Sequence, residues 1–168
     1  MKPVVSLIMG STSDLDVMKG TAELLEEFEI PFEMNALSAH RTPDEVEKFA
    51  KSAKGRGIKV IIAGAGMAAH LPGVIAAMTP LPVIGVPIKS TLEGMDSILA
   101  ILQMPPGIPV ATVALNGARN AGILALQMIA TGDEKLMNKL IDFKVALKQK
   151  IVKANQELSE VKYKFKVD

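Results

Sequence analysis

Apolar residues fall along this chain in short unbroken runs, separated by stretches with helical periodicity. Val4-Val-Ser-Leu-Ile-Met9 ends at Gly10 and reads as a buried strand. Val17, Thr21, Leu24, Leu25 and Phe28 then recur at helical spacing, while Asp16, Lys19, Glu23 and Glu27 take the opposite face. Residues 31–37 form a weaker strand candidate. Thr42-Pro-Asp-Glu45 predicts a helix start, with Thr42 as N-cap, proline at the first position and Glu45 closing a capping box. Val46, Phe49, Ala50 and Ala53 continue that helix until Gly55 or Gly57. Residues 58–64, 82–87 and 108–114 are three more buried strands, and 70–78, 95–104 and 118–131 are helical.

Strands that alternate with helices and carry almost no polar positions belong in a parallel sheet covered on both faces. The predicted fold is a single domain over residues 1–168, a three-layer α/β/α arrangement around a doubly wound five-stranded sheet. A ligand then belongs beyond the carboxyl ends of the strands. Two segments exceed what a lone sheet needs. Residues 118–131 carry the small side chains Ala118, Ala121, Gly122 and Ala125, which permit close helix approach. Residues 133–161 read as one long helix with Leu136, Leu140, Phe143, Leu147 and Ile151 on a stripe. That stripe suits packing between subunits or onto the helix's own domain.

Composition narrows the function. With 19 basic and 18 acidic residues among 168, the net charge is +1, so nothing favours nucleic acid or a membrane surface. The absence of cysteine excludes disulfides, thiolate nucleophiles and Cys-based zinc sites. A first strand at Val4 leaves no room for a signal peptide, and no apolar run is long enough to span a bilayer. A soluble, cytoplasmic protein is expected.

The candidate chemistry lies in the loops after the strands. There are only two histidines, His40 in Ser38-Ala-His-Arg-Thr-Pro43 and His70 in Ala68-Ala-His-Leu-Pro-Gly73. Imidazole is the side chain best suited to proton transfer near neutral pH. Arg41 offers a planar fork for a phosphate, and Ser38 a further donor. Gly10-Ser-Thr-Ser-Asp14 combines a flexible turn, the hydroxyls of Ser11 and Ser13, and a carboxylate able to accept from ribose hydroxyls. The same residues also suit a simple N-cap cluster, and both readings stay open.

Gly64-Ala-Gly-Met-Ala-Ala69 matches the Gly-x-Gly-x-x-Ala dinucleotide pattern. It follows the third strand rather than the first, and no acidic residue ends the next strand to hold a ribose. A small-residue loop that approaches a ligand closely, walled by Met67, Ala68, Ala69 and Leu71, is the better account. His70 alone reads as packed or anchored to backbone. A Walker loop, a Gly-x-Ser-x-Gly elbow and paired metal-ligand spacing are all missing, which disfavours ATP use by that route, a hydrolase of that type, and a transition metal.

Taken in order, Gly10-Ser-x-Ser-Asp14, Ser38-Ala-His-Arg-Thr-Pro43, Ala63-Gly-Ala-Gly-x-Ala-Ala-His-Leu-Pro-Gly73, Pro82-Val-Ile-Gly-Val-Pro87, Gln103-Met-Pro105 and Gly107-Ile-Pro-Val110 closely resemble the PurE family of purine biosynthesis. The resemblance runs from about Val4 to Ile129, and the Ala-Ala-His-Leu-Pro-Gly form resembles the branch of N5-carboxyaminoimidazole ribonucleotide mutases. It implies a flavodoxin-like subunit, a homo-octamer, and neither metal nor organic cofactor. By matching position, Ser11, Ser13, Asp14, Ser38 and Arg41 would bind ribose and phosphate, and His40 would be the general acid–base. Ala65, Gly66, Ala68, His70 and Leu71 would lie along the base and CO2 pocket. The implied reaction is carboxyl migration from nitrogen to carbon within one nucleotide, the alternative being direct carboxylation of aminoimidazole ribonucleotide with CO2. Leu15 replaces a tryptophan that many members carry, and Ala114-Leu-Asn-Gly-Ala-Arg-Asn120 looks shorter than the common version.

Overall fold

The unbroken apolar runs become strands because both sheet faces are covered. A computed structural model describes residues 1–167. In it β1 (Val5–Met9) and β4 (Val83–Ile88) are buried at every position, and β3 (Val60–Gly66) at all but its last. β2 (Phe32–Ala36) and β5 (Ala111–Thr112) are the half-covered edges. All pairs are parallel, in the order β2-β1-β3-β4-β5. This is the flavodoxin-like doubly wound order, and it confirms the expected α/β fold.

The helices of the sheet unit divide between the faces. α2 (Pro43–Arg56), α3 (Leu71–Ala76) and α4 (Met95–Leu102) share a core with Ile8, Ile61 and Ala63 through Val46, Ile75 and Ile101. On the other face α1 (Leu15–Glu27) sets Met18 against Gly64, and Thr21 donates to the Ala118 carbonyl at the start of α5 (Ala118–Ala130), 2.6 Å away. Met18 is fully buried, one position from the Val17 that the helical pattern marked. Ser6, polar in a buried strand, is satisfied by donating to Glu33 at 2.9 Å, and Glu33 in turn takes Arg56 at 2.6 Å.

Two local expectations need correction, and a third is narrowed. β5 spans two residues rather than seven, because the Pro105-Pro106-Gly107 turn and Pro109 remove ladder donors just before it. Thr42 does not cap α2 with its side chain; its hydroxyl accepts from the Ser38 N–H at 2.9 Å and donates to the Ser38 carbonyl at 3.2 Å. Of the two glycines expected to stop α2, Gly57 does so, at φ 96°.

Contacts divide the chain into two compact units, Met1–Ile129 and a second beginning at Ala130. The second contains α6 (Glu134–Glu160), whose N-cap Asp133 accepts from the Leu136 N–H at 3.0 Å. Leu136 and Leu140 are buried, whereas Leu147 and Ile151 farther along the stripe are 45% and 72% exposed. Among the described residues no helix is long and apolar enough to cross a membrane.

Candidate functional site

In this strand order the connections leave β1 and β3 in opposite directions, which opens a crevice at their carboxyl ends. A cleft of about 470 Å³ lies there. Gly10, Ser11, Ser13 and Asp14 line it from β1, and Ser38, Ala39, His40 and Arg41 from β2. Ala65, Gly66, Met67, Ala68 and Leu71 follow from β3, and Ser90 from β4. Every site candidate from the sequence lines this cleft except His70. A larger cavity of about 630 Å³, between residues 76–82 and 107–109, lies at the amino ends of β4 and β5 and is lined by no titratable side chain. Size alone would select it; the chemistry is in the smaller cleft.

The loop after β2 is built to hold two side chains outward. The Thr42–Ser38 bonds close it, and the Ser38 hydroxyl accepts from the Arg41 N–H at 3.2 Å and from Nε at 3.3 Å. Arg41 Nη2 reaches across to donate to the Gly10 carbonyl at 2.9 Å. The guanidinium therefore spans the β1 and β2 loops and keeps further donors that an anion could take. His40 points the other way. Its Nε2 lies 2.9 Å from Nδ1 of His70, with ring centroids 5.0 Å apart and planes at 80°. One ring nitrogen of His40 is thus spoken for by a neighbour thirty residues away, which neither motif foretold.

After β1, the Asp14 N–H donates to the Ser11 carbonyl at 3.1 Å, and long contacts join Ser13 to Ser11 and to Asp14. Partial burial pushes the Asp14 carboxyl above its ordinary value of 3.8, against the lowering effect of bonds from Ser11, Ser13 and Gly10. The folded state holds the proton more tightly than the unfolded one, so stability falls as pH rises from 3.8 through the raised value. Above that window the cost is fully present. Asp14→Asn should therefore raise Tm at pH 7. Thermal melts should show that gain shrinking to nothing as the pH is brought below 3.8.

The glycines at the end of β3 do not form a dinucleotide loop. A Cβ on Gly64 would sit 2.5 Å from Met18 Sδ, and one on Gly66 would sit 3.1 Å from the Ile88 carbonyl oxygen. Both serve close packing, Gly64 inside the strand and Gly66 at its end. Met67 takes φ 55° and turns the chain toward α3, leaving Ala65, Ala68 and Leu71 as an apolar wall. Together these surfaces bring a guanidinium, serine hydroxyls, a carboxylate, an exposed imidazole and an apolar wall into one cleft.

A profile of the AIR carboxylase family matches residues 4–150. The N5-carboxyaminoimidazole ribonucleotide mutase of Thermotoga maritima is 54% identical over 163 residues, covering 96% of this chain and 95% of that one. The phosphoribosylaminoimidazole carboxylase of Schizosaccharomyces pombe is 53% identical over 96% of this chain, which spans only 30% of that longer protein. The crystal structure of Treponema denticola PurE2-S38D superposes with a TM-score of 0.86 at 27% identity, covering 94% of this chain and 99% of the other.

Proposed function

The chain belongs to the AIR carboxylase family, and on that premise we propose that it is an N5-carboxyaminoimidazole ribonucleotide mutase of purine biosynthesis. It converts N5-carboxyaminoimidazole ribonucleotide to 4-carboxyaminoimidazole ribonucleotide by moving one carboxyl group within the nucleotide. Near full-length identity to mutases of the same size supports the assignment. The observation that carries it in the structure is the exposed imidazole of His40 between the Arg41 fork and the apolar wall of Ala65, Ala68 and Leu71.

The phosphate takes Arg41, Ser11 and Ser13, and Asp14 accepts from the ribose hydroxyls. These contacts lie away from the reacting atoms and position the aminoimidazole over the end of β3. His40 enters as imidazolium and gives a proton to the exocyclic nitrogen as the N–C bond breaks, releasing neutral CO2. Held against the apolar wall, CO2 is attacked by ring carbon 4, forming the C–C bond and leaving positive charge on the ring. His40, now neutral, removes the carbon 4 proton and restores aromaticity, so the proton count closes. With Nε2 of His40 engaged by His70, Nδ1 is the nitrogen left for this exchange, and His70 accepts from the imidazolium while it carries charge. His70, which does not line the cleft, acts as a positioning residue rather than a substrate contact.

Assembly of several copies belongs to the same reading, with an octamer the expected size. Met95, Leu99 and Leu102 are exposed along α4, with Leu92 exposed just before it, and α6 exposes Ile141, Val145 and Ile151. A cytoplasmic location fits a phosphorylated substrate that cannot cross a bilayer. Direct carboxylation of aminoimidazole ribonucleotide by CO2 is the second reading, favoured by the carboxylase relatives at similar identity. Fresh N5-carboxyaminoimidazole ribonucleotide, without ATP or added bicarbonate, should give the carbon-carboxylated product faster than aminoimidazole ribonucleotide with CO2. Product only from the second mixture would replace the mutase with a carboxylase.

A further inference from the structure

We infer that Ser90 is a specificity-determining residue that hydrogen-bonds the carboxylate on ring carbon 4, and that Asn116 positions it by clamping the end of β4; the inference rests on the mutase reading above.

Four strand ends meet at the cleft in the order β2, β1, β3, β4, with neighbours about 4.8 Å apart. The cation and most hydroxyls sit over β2 and β1, so phosphate and ribose occupy that side and the base extends over β3 toward β4. On the β3 and β4 side the lining is Ala65, Gly66, Met67, Ala68, Leu71 and Ser90, of which Ser90 alone has a polar side chain. A carboxylate formed against that wall leaves oxygens to be satisfied, since desolvating an unpaired charge is costly. Ser90 is exposed to the cleft, and among the described residues its hydroxyl makes no hydrogen bond within the protein.

Its placement is specified on two sides. Gly66 pairs in register with Ile88, and a Cβ there would stand 3.4 Å from the Ser90 Cβ and 3.1 Å from the Ile88 carbonyl oxygen, so glycine lets the β4 end lie close over β3. From the β5 side Asn116 bonds twice. Its N–H donates to the Pro87 carbonyl at 2.8 Å, and its Oδ1 accepts from the Lys89 N–H at 2.9 Å. These two bonds bracket Pro87 to Lys89 just before Ser90, continuing the strand where β5 has already ended. Asn116 does so at φ 55°, a conformation asparagine tolerates better than most residues. Lys89, beside Ser90 in the chain, pairs with Glu93 and does not line the cleft. This gives a use to the departure at 114–120.

The test is calorimetric titration with aminoimidazole ribonucleotide and with 4-carboxyaminoimidazole ribonucleotide, in a His40→Asn background that stops turnover. Ser90→Ala should weaken the carboxylated nucleotide about tenfold, the size of one hydrogen bond to a charged group, and the uncarboxylated one less than twofold. Asn116→Gly keeps the backbone conformation but deletes the acceptor, and should reproduce the selective loss. Asn116→Asp keeps the acceptor and should retain selectivity. Equal weakening of both nucleotides by Ser90→Ala, or no change in either, overturns the role of Ser90. Selectivity intact in Asn116→Gly overturns the clamp. Failure of the parent to bind either nucleotide would overturn the mutase reading itself.

Discussion

His40→Asn should lower kcat for the carboxyl migration by about 10²–10⁴-fold, the usual contribution of a positioned acid–base, with Tm little changed. The separation of effects follows from where the residue sits. His40 is exposed, and its side chain bonds the likewise exposed His70 rather than the core. A surface substitution of this kind usually moves stability by less than about 0.5 kcal/mol. Asparagine can fill part of the imidazole's space and hydrogen-bond His70, yet it cannot take and return a proton. Single-turnover rates beside a thermal melt check both halves. Near-normal turnover would remove His40 from the mechanism, and a large fall in Tm would recast it as structural.

Arg41→Ala should act on the other kinetic constant, raising KM for the nucleotide about 10–100-fold with a smaller change in kcat. In the proposed mechanism the guanidinium holds the phosphate, and it ties the β1 and β2 loops together through Ser38 and the Gly10 carbonyl. Its loss removes the charged fork and also the bond that ties the β2 loop to the β1 loop. Arg41→Lys should recover only part of the affinity, because an ammonium cannot make the paired, planar contact. Inorganic phosphate supplies an independent check: it should inhibit the parent competitively and the Ala variant far more weakly. A loss confined to kcat would place Arg41 at the reacting centre instead.

Much of this architecture is legible along the chain because burial on both faces leaves little freedom in composition. β1, β3 and β4 read as apolar runs, and the polar loops after them carry residues that suit an anion and a proton transfer. Legibility fails where a side chain's role depends on a distant partner. Thr42 has the sequence of an N-cap, but the Ser38 backbone competes for its hydroxyl and wins. His70 looks like an anchored histidine until the β2 and β3 loops converge and place its Nδ1 against His40. Ser90 and Asn116 carry little local signal, since their meeting depends on the parallel register of β3 with β4 and on the early end of β5. The only trace is the altered spacing at 114–120.

The central claim is that the carboxyl group leaves nitrogen and reaches carbon without escaping the cleft. It is tested most directly by turning over N5-carboxyaminoimidazole ribonucleotide labelled with carbon-13 in the carboxyl group, in excess unlabelled bicarbonate and dissolved CO2. Retention of the label in 4-carboxyaminoimidazole ribonucleotide, measured by mass spectrometry at early time points, is the predicted result. Product carrying the isotopic composition of the dissolved CO2 would contradict it, and would mean that the apolar wall of Ala65, Ala68 and Leu71 admits CO2 from solution rather than enclosing it.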